Sequence, residues 1–222
     1  VSDFTRNCLL SRFPQFESIT KTVYLGIDHI PSFDPAVIRK KPFPFPYILF
    51  VGTIDKRKNL VKVIEAFEIA KETLRELHLV IVGKDGYCHE IVNEKIERSP
   101  HSKDIHRLGF VNQEELVDIY SDAYALVFPS LYEGFGIPIL EAMSTGCPVI
   151  TSNRGAMKEI SGDAAILVVP NDAEEISHRI VELCSNTALR ARLIEDGRLW
   201  SKEFRWSKCA KETSAVYKAL LN

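Results

Sequence analysis

The chain lacks most of the features that would direct it toward metal, membrane or nucleic-acid chemistry. Its five cysteines, Cys8, Cys88, Cys147, Cys184 and Cys209, are scattered and odd in number, and none belongs to a Cys-x-x-Cys pair. That pattern suggests neither a structural zinc nor a redox motif, and the expectation is free thiols in a reducing compartment. The six histidines show no ligand spacing, and His101 and His106, in a polar stretch, read as surface residues. Metal is not implied. No apolar run approaches the length of a membrane span. The opening Val1-Ser-Asp-Phe-Thr-Arg6 has neither the basic start nor the apolar stretch of a secretion signal. It also lacks an initiating methionine and so reads as a fragment or a processed chain. Lysine and arginine number 28 against 30 acidic residues, a formal net charge of -2, so no basic excess points to nucleic acid. Internal repeats and low-complexity tracts are absent.

What the sequence does have is a rhythm. Its 222 residues suffice for one large domain with a core, or one domain and a fragment. From Tyr47 onward, short apolar runs alternate with amphipathic segments. Tyr47-Ile-Leu-Phe-Val51 suits a strand buried on both faces, and Leu60, Val63, Ile64 and Phe67 then repeat at helical spacing. Strands are expected over Leu77–Val82, near Ile105–Leu108, and over Tyr124–Phe128, Pro148–Thr151 and Ala165–Val169. Asn112 with Glu115, and Asp172 with Glu175, read as helix caps; Leu116, Ile119, Tyr120 and Ala123 supply an apolar face after the first. Strands alternating with helices predict an α/β fold, a Rossmann-like doubly wound parallel sheet with ligands at the carboxyl ends of its strands. Gly52, Gly83, Pro129 and Ser152 all fall at those ends. Asn7–Phe13 reads as a helix, Thr22–Leu25 as a strand, and Pro42-Phe-Pro-Phe-Pro46 as a stiff linker.

The densest chemistry lies in Ser130-Leu-Tyr-Glu-Gly-Phe-Gly-Ile-Pro-Ile-Leu-Glu-Ala-Met-Ser-Thr-Gly-Cys-Pro-Val149. Glu133 precedes a glycine-flanked turn. Pro138 suits the first position of the helix that follows, placing Glu141 on its fourth residue. Two carboxylates thus bracket a helix start, whose free amides attract anions. The stretch resembles the Glu-x7-Glu signature of retaining, family 4 glycosyltransferases of the GT-B fold. Phe50-Val-Gly-Thr-Ile-Asp-Lys-Arg-Lys-Asn-Leu60, Leu79-Val-Ile-Val-Gly83, Leu108-Gly-Phe-Val111 and Val149-Ile-Thr-Ser-Asn153 are similar to that family's segments, in the same order. The resemblance covers about residues 47–170.

The resemblance implies that residues 47–205 are the donor-binding half of such an enzyme. Residues 1–46 would be a remnant of the acceptor domain plus the Pro-rich linker, and 206–222 a crossover helix. It assigns Glu141 to the ribose hydroxyls and Glu133 to the donor sugar near the reacting carbon. Gly134, Phe135, Gly136 and Ile137 would approach the sugar and distal phosphate through their backbone. Lys58 matches the family's phosphate-binding lysine. Where many relatives carry an arginine after the glycine that ends the first strand, Gly52 is followed by Thr53, and Arg57 is the candidate to compensate. Glu133, Lys58 and Arg57 form the expected catalytic set. Gly52, Thr53, Gly83, Leu108 and Phe110 complete the expected donor contacts, with the last two beside the base.

Taken without the resemblance, Glu141 is equally a carboxylate favourable to a helix dipole, Glu133 a solvated loop residue, and Arg57 and Lys58 a basic turn. With it, the expected function is sugar transfer from a nucleoside-diphosphate sugar, with retention and without metal or cofactor. GDP-mannose leads, with UDP-sugars close behind. The acceptor would be a glycan or lipid-linked glycan in polysaccharide biosynthesis. The expected place is the cytoplasm, with the missing acceptor domain as the route to any peripheral membrane association. The rival is a nucleotide-sugar-binding module, or a donor subunit that needs a separate acceptor-domain partner. A nicotinamide dehydrogenase is disfavoured because Gly52-Thr-Ile-Asp-Lys-Arg57 is not the three-glycine fingerprint.

Overall fold

A computed structural model describes residues 1–30, 41–87 and 89–221. Among these, six parallel strands form one sheet: β1 (Tyr47–Val51), β2 (His78–Val82), β3 (Ile105–Gly109), β4 (Ala125–Phe128), β5 (Val149–Ser152) and β6 (Ile166–Val168). Their order is β3-β2-β1-β4-β5-β6. This is the doubly wound arrangement expected from the alternating pattern, and its order reverses between β1 and β4.

The sheet is sandwiched because its strands are apolar on both faces. Along β1, Tyr47, Leu49 and Val51 enter one core and Ile48 and Phe50 the other. That period of two divides a continuous apolar run between two helical layers. On the first face lie α4 (Gln113–Asp122), α5 (Ile137–Ser144) and α6 (Gly155–Ser161). On the second lie α2 (Leu60–Lys71), α3 (His89–Glu97) and α7 (Ala173–Ser185), while α8 (Thr187–Ser201) bridges the two, with Leu193 in the second core and Trp200 against the first. Phe50, Phe67 and Phe128 are fully buried; burial of each such side chain stabilises by about 1.5–3 kcal/mol. The Tyr47 hydroxyl, buried at the foot of β1, donates to the Ile119 carbonyl at 2.7 Å.

The expected caps form. Asn112 accepts from the Glu115 amide, and Asp172 from that of Glu175, both at 2.9 Å. α5 differs slightly: Gly136 is its N-cap, Ile137 its first residue and Pro138 its second, so Glu141 is the fifth residue rather than the fourth. Gly136 makes the earlier start possible, because its φ of 107° is one that residues with a Cβ rarely adopt.

The amino-terminal segment departs further from expectation. Its helix, α1 (Asp3–Arg12), starts four residues before Asn7. Ser2 caps it by accepting from the Thr5 amide, and Glu159 of α6 accepts from the amides of Asp3 and Phe4, each at 2.8 Å. Thr22–Leu25 joins no ladder. It is instead anchored by side chains, with Tyr24 donating to Glu159 and its ring packing on Phe135 and Phe204. α9 (Trp206–Leu221) begins where Asp28 accepts from the Trp206 amide at 2.7 Å. A Cβ at Gly26 would stand 2.0 Å from that same amide nitrogen, so only glycine fits.

Two smaller expectations are also corrected. Phe43 and Phe45 of the proline-rich stretch are not bare linker: Phe43 packs edge-on to Tyr47, and Phe45 stacks on His78 and His106. His106 is accordingly half-buried rather than a plain surface residue, and its Nε2 lies 2.9 Å from His78 Nδ1. Cys8, Cys147, Cys184 and Cys209 are free thiols; Cys88 lies outside the described residues. Among the described residues no helix is long and apolar enough to cross a membrane.

Candidate nucleotide-sugar site

The carboxyl edge of the sheet brings the two halves of the signature together with the basic turn after β1. Asp55 accepts from the Arg57 amide at 3.1 Å and so shapes that turn. Asn59 then adopts a left-handed conformation, φ 62°. Its amide group donates to the Pro129 carbonyl at 3.1 Å and the Pro170 carbonyl at 2.6 Å. One side chain thereby ties the loops after β1, β4 and β6. The Leu131 amide adds a bond to the Arg57 carbonyl at 2.8 Å.

This framework points two cations at Glu133. Lys58 Nζ lies 2.6 Å from Oε1 and Arg57 Nη1 2.7 Å from Oε2. Glu133 and Lys58 are buried, each about 8% exposed, whereas Arg57 is exposed. Burial pulls the Lys58 ammonium below the ordinary lysine range, and the Glu133 carboxylate opposes that shift. Its Nζ also sits 4.6 Å from the centroid of the Phe128 ring. A Cβ at Gly52 would only touch Lys58 Cε, at 3.5 Å, so it is the φ of 150° that favours glycine there. Gly83 is tighter: its Cβ would come within 2.0 Å of the Gly52 carbonyl oxygen. Thr53 lies in the same stitched loop, where the Ile54 amide donates to the Lys84 carbonyl at 2.9 Å.

Gly134, Phe135, Gly136 and Ile137 run from Glu133 into α5. The Gly134 carbonyl accepts from Ser2 at 2.7 Å and Thr5 at 3.1 Å, so α1 holds the turn from outside. Phe135 is buried against Tyr24 and Phe204, and its ring serves packing.

Glu141, the second signature carboxylate, has different partners. Tyr120 donates to Oε2 at 3.1 Å, and His29 Nε2 lies 3.3 Å from Oε1. Tyr120 is completely buried. Burial and then the nearby Glu141 charge push its hydroxyl well above the usual tyrosine range, so it remains a donor. Leu108 lies on β3 and Phe110 just after it. Leu108 packs into the core, while Phe110 is exposed with Lys84 Nζ 4.8 Å from its ring centroid.

Sequence reasoning missed Asn59, Ser2, Thr5, Tyr120 and His29 as parts of this edge. Tyr120 carried a signal, because a buried tyrosine needs a partner for its hydroxyl. The others depend on approaches between distant segments that no local pattern encodes.

A family described as "Glycosyl transferases group 1" matches residues 36–200. The chain is 34% identical over 228 residues to the O-antigen chain mannosyltransferase B of Escherichia coli, across 99% of this chain and 60% of that protein. It therefore spans about three fifths of that relative's length. Among solved structures, a glycosyltransferase from Rickettsia africae matches all of the chain and 62% of its own, with a TM-score of 0.86 and 22% identity. The C-terminal domain of a group 1 glycosyl transferase from Francisella tularensis matches 78% of this chain and 95% of its own, with a TM-score of 0.67 and 27% identity.

Proposed function

The chain belongs to the group 1 glycosyl transferases, and from that membership we propose that it is the donor half of a retaining enzyme acting on a nucleoside-diphosphate sugar. The observation that carries this reading is the Lys58–Glu133–Arg57 cluster beside the amino end of α5, at the reversal of strand order. In open parallel sheets that crevice is where nucleotides bind.

The diphosphate would lie against the amides of Phe135 and Ile137, where the helix terminus favours an anion by about 0.3–1 kcal/mol, more when partly buried. Lys58 and Arg57 would share its charge. Arg57 can engage two phosphate oxygens at once, while Lys58 supplies a desolvated point charge. Glu133, bound to both cations, would accept from hydroxyls of the sugar. Glu141 would accept from the ribose. When the bond between the anomeric carbon and the distal phosphate oxygen breaks, negative charge grows on the departing diphosphate, which is where the cations stand. An acceptor hydroxyl forms the new bond on the same face, and its proton passes to a donor phosphate oxygen. No protein base is required, and no metal. Mannose from GDP-mannose is the leading donor, in keeping with the mannosyltransferase of Escherichia coli; UDP-sugars are the alternative. The acceptor is a glycan or lipid-linked glycan, and the place of action the cytoplasm or the membrane surface facing it.

A second reading has these residues bind the donor and depend on a separate acceptor-domain partner for transfer. Thermal stabilisation against a panel of nucleotide sugars, followed by transfer and hydrolysis assays with the stabilising donor, separates the two. Binding with transfer to a mannose-terminated oligosaccharide supports independent catalysis. Binding without transfer or hydrolysis supports the donor module. Stabilisation by NADH alone would overturn both.

A further inference from the structure

Glu141 is held by a chain of donors that begins at the far end of the sequence. The Trp206 indole N–H donates to His29 Nδ1 at 3.3 Å, and His29 Nε2 faces Glu141 Oε1 at the same distance. An indole nitrogen can only donate, so Nδ1 is the acceptor and the imidazole proton sits on Nε2, directed at the carboxylate. His29 is itself fixed from three sides. Asp28 binds the Trp206 amide, Gly26 allows the backbones to touch, and Gln113 donates to the His29 carbonyl. Segments near both ends of the sequence thus meet α4 and α5 at one imidazole.

An ionised carboxylate offers about four lone-pair positions. His29 and Tyr120 take one on each oxygen of Glu141. Among the described residues no other group binds the carboxylate, so two remain, and a ribose presents two vicinal hydroxyls. We infer that His29 is a positioning residue for donor binding: its Nε2–H, with the Tyr120 hydroxyl, fixes the Glu141 carboxylate so that the free lone pairs receive the 2′ and 3′ hydroxyls of the nucleotide. The inference rests on the proposed reading that Glu141 binds ribose. The imidazole suits the task, because a directed N–H bond orients the carboxylate.

Calorimetric titration of the chain with GDP and with 2′,3′-dideoxy-GDP tests this, using the UDP pair if the unaltered protein prefers uracil. The unaltered protein should favour the ribonucleotide by about tenfold, the effect of about 1.4 kcal/mol. Glu141→Ala should abolish that preference. His29→Leu should cut it to about threefold or less while leaving dideoxynucleotide affinity within about twofold. His29→Gln, which keeps an N–H near the Nε2 position, should restore most of it. If His29→Leu does not fold, Trp206→Phe, which removes the N–H that sets the tautomer, should reduce the preference in the same selective way. A His29 variant with undiminished preference, or one that weakens both nucleotides equally, overturns the positioning role while the ribose reading stands. A Glu141→Ala protein that keeps the preference overturns the ribose reading and the inference together.

Discussion

The two signature glutamates sit at opposite ends of one turn and receive opposite treatment. Glu133 is buried between two cations, whereas Glu141 is met by a tyrosine hydroxyl and an imidazole. A carboxylate between Lys58 and Arg57 belongs to a site organised around charge, where an arriving diphosphate finds cations already gathered. A carboxylate steadied by hydrogen bonds keeps spare lone pairs, which suits hydroxyl recognition. Residue type is shared; the surroundings divide the labour.

The largest expected effect breaks the charged end. Glu133→Ala strands Lys58 as a buried cation, and should cost about 3 kcal/mol, the low end for a broken buried pair because Lys58 can shed its proton. Its folded-state pKa already lies below the ordinary value. Without Glu133 it falls further, so the neutral form is favoured in the fold. The deficit in urea denaturation should therefore shrink as pH rises toward the unfolded lysine value of about 10.4 and be fullest near neutrality. A deficit independent of pH would remove Lys58 from the explanation. At the other end, Tyr120→Phe deletes one hydrogen bond from a carboxylate that water can still reach. It should cost about 1 kcal/mol and weaken nucleotide binding; an effect as large as that of Glu133→Ala would erase the contrast.

Smaller still is the support that the two ends share. Thr5→Ala leaves Gly134 one donor and should cost a few tenths of a kcal/mol by urea denaturation, whereas Ser2→Ala also removes the α1 cap and should cost about 1 kcal/mol. Strict additivity of the two would mean that they do not hold the same carbonyl. The smallest effect comes from acid at the opposite edge of the sheet. Burial holds both His78 and His106 below 6.5, with Asp104 opposing. Their neutral forms are favoured in the fold, so stability is complete above about pH 6.5 and declines as pH falls below it. His106→Gln should flatten that decline, and a slope unchanged by it would assign the acid sensitivity elsewhere.

The sheet was readable because burial on both faces writes β1 as Tyr47-Ile-Leu-Phe-Val51, bounds included. The caps at Asn112 and Asp172 were equally plain, since a cap and its helix are neighbours in sequence. Glu133, Lys58 and Arg57 were named from their resemblance to a family, and the fold brings them into contact. What stayed hidden was long-range. Thr22–Leu25 has strand-like composition, yet side-chain contacts to Glu159, Phe135 and Phe204 hold it. His29 reaches Glu141 across 112 residues.

The most direct test of the central claim is a crystal structure of this chain with GDP-mannose. The account predicts the diphosphate on the amides of Phe135 and Ile137 within reach of Lys58, and both ribose hydroxyls on Glu141. A nucleotide bound elsewhere, or one whose ribose turns away from Glu141 while its diphosphate avoids Lys58, would contradict it.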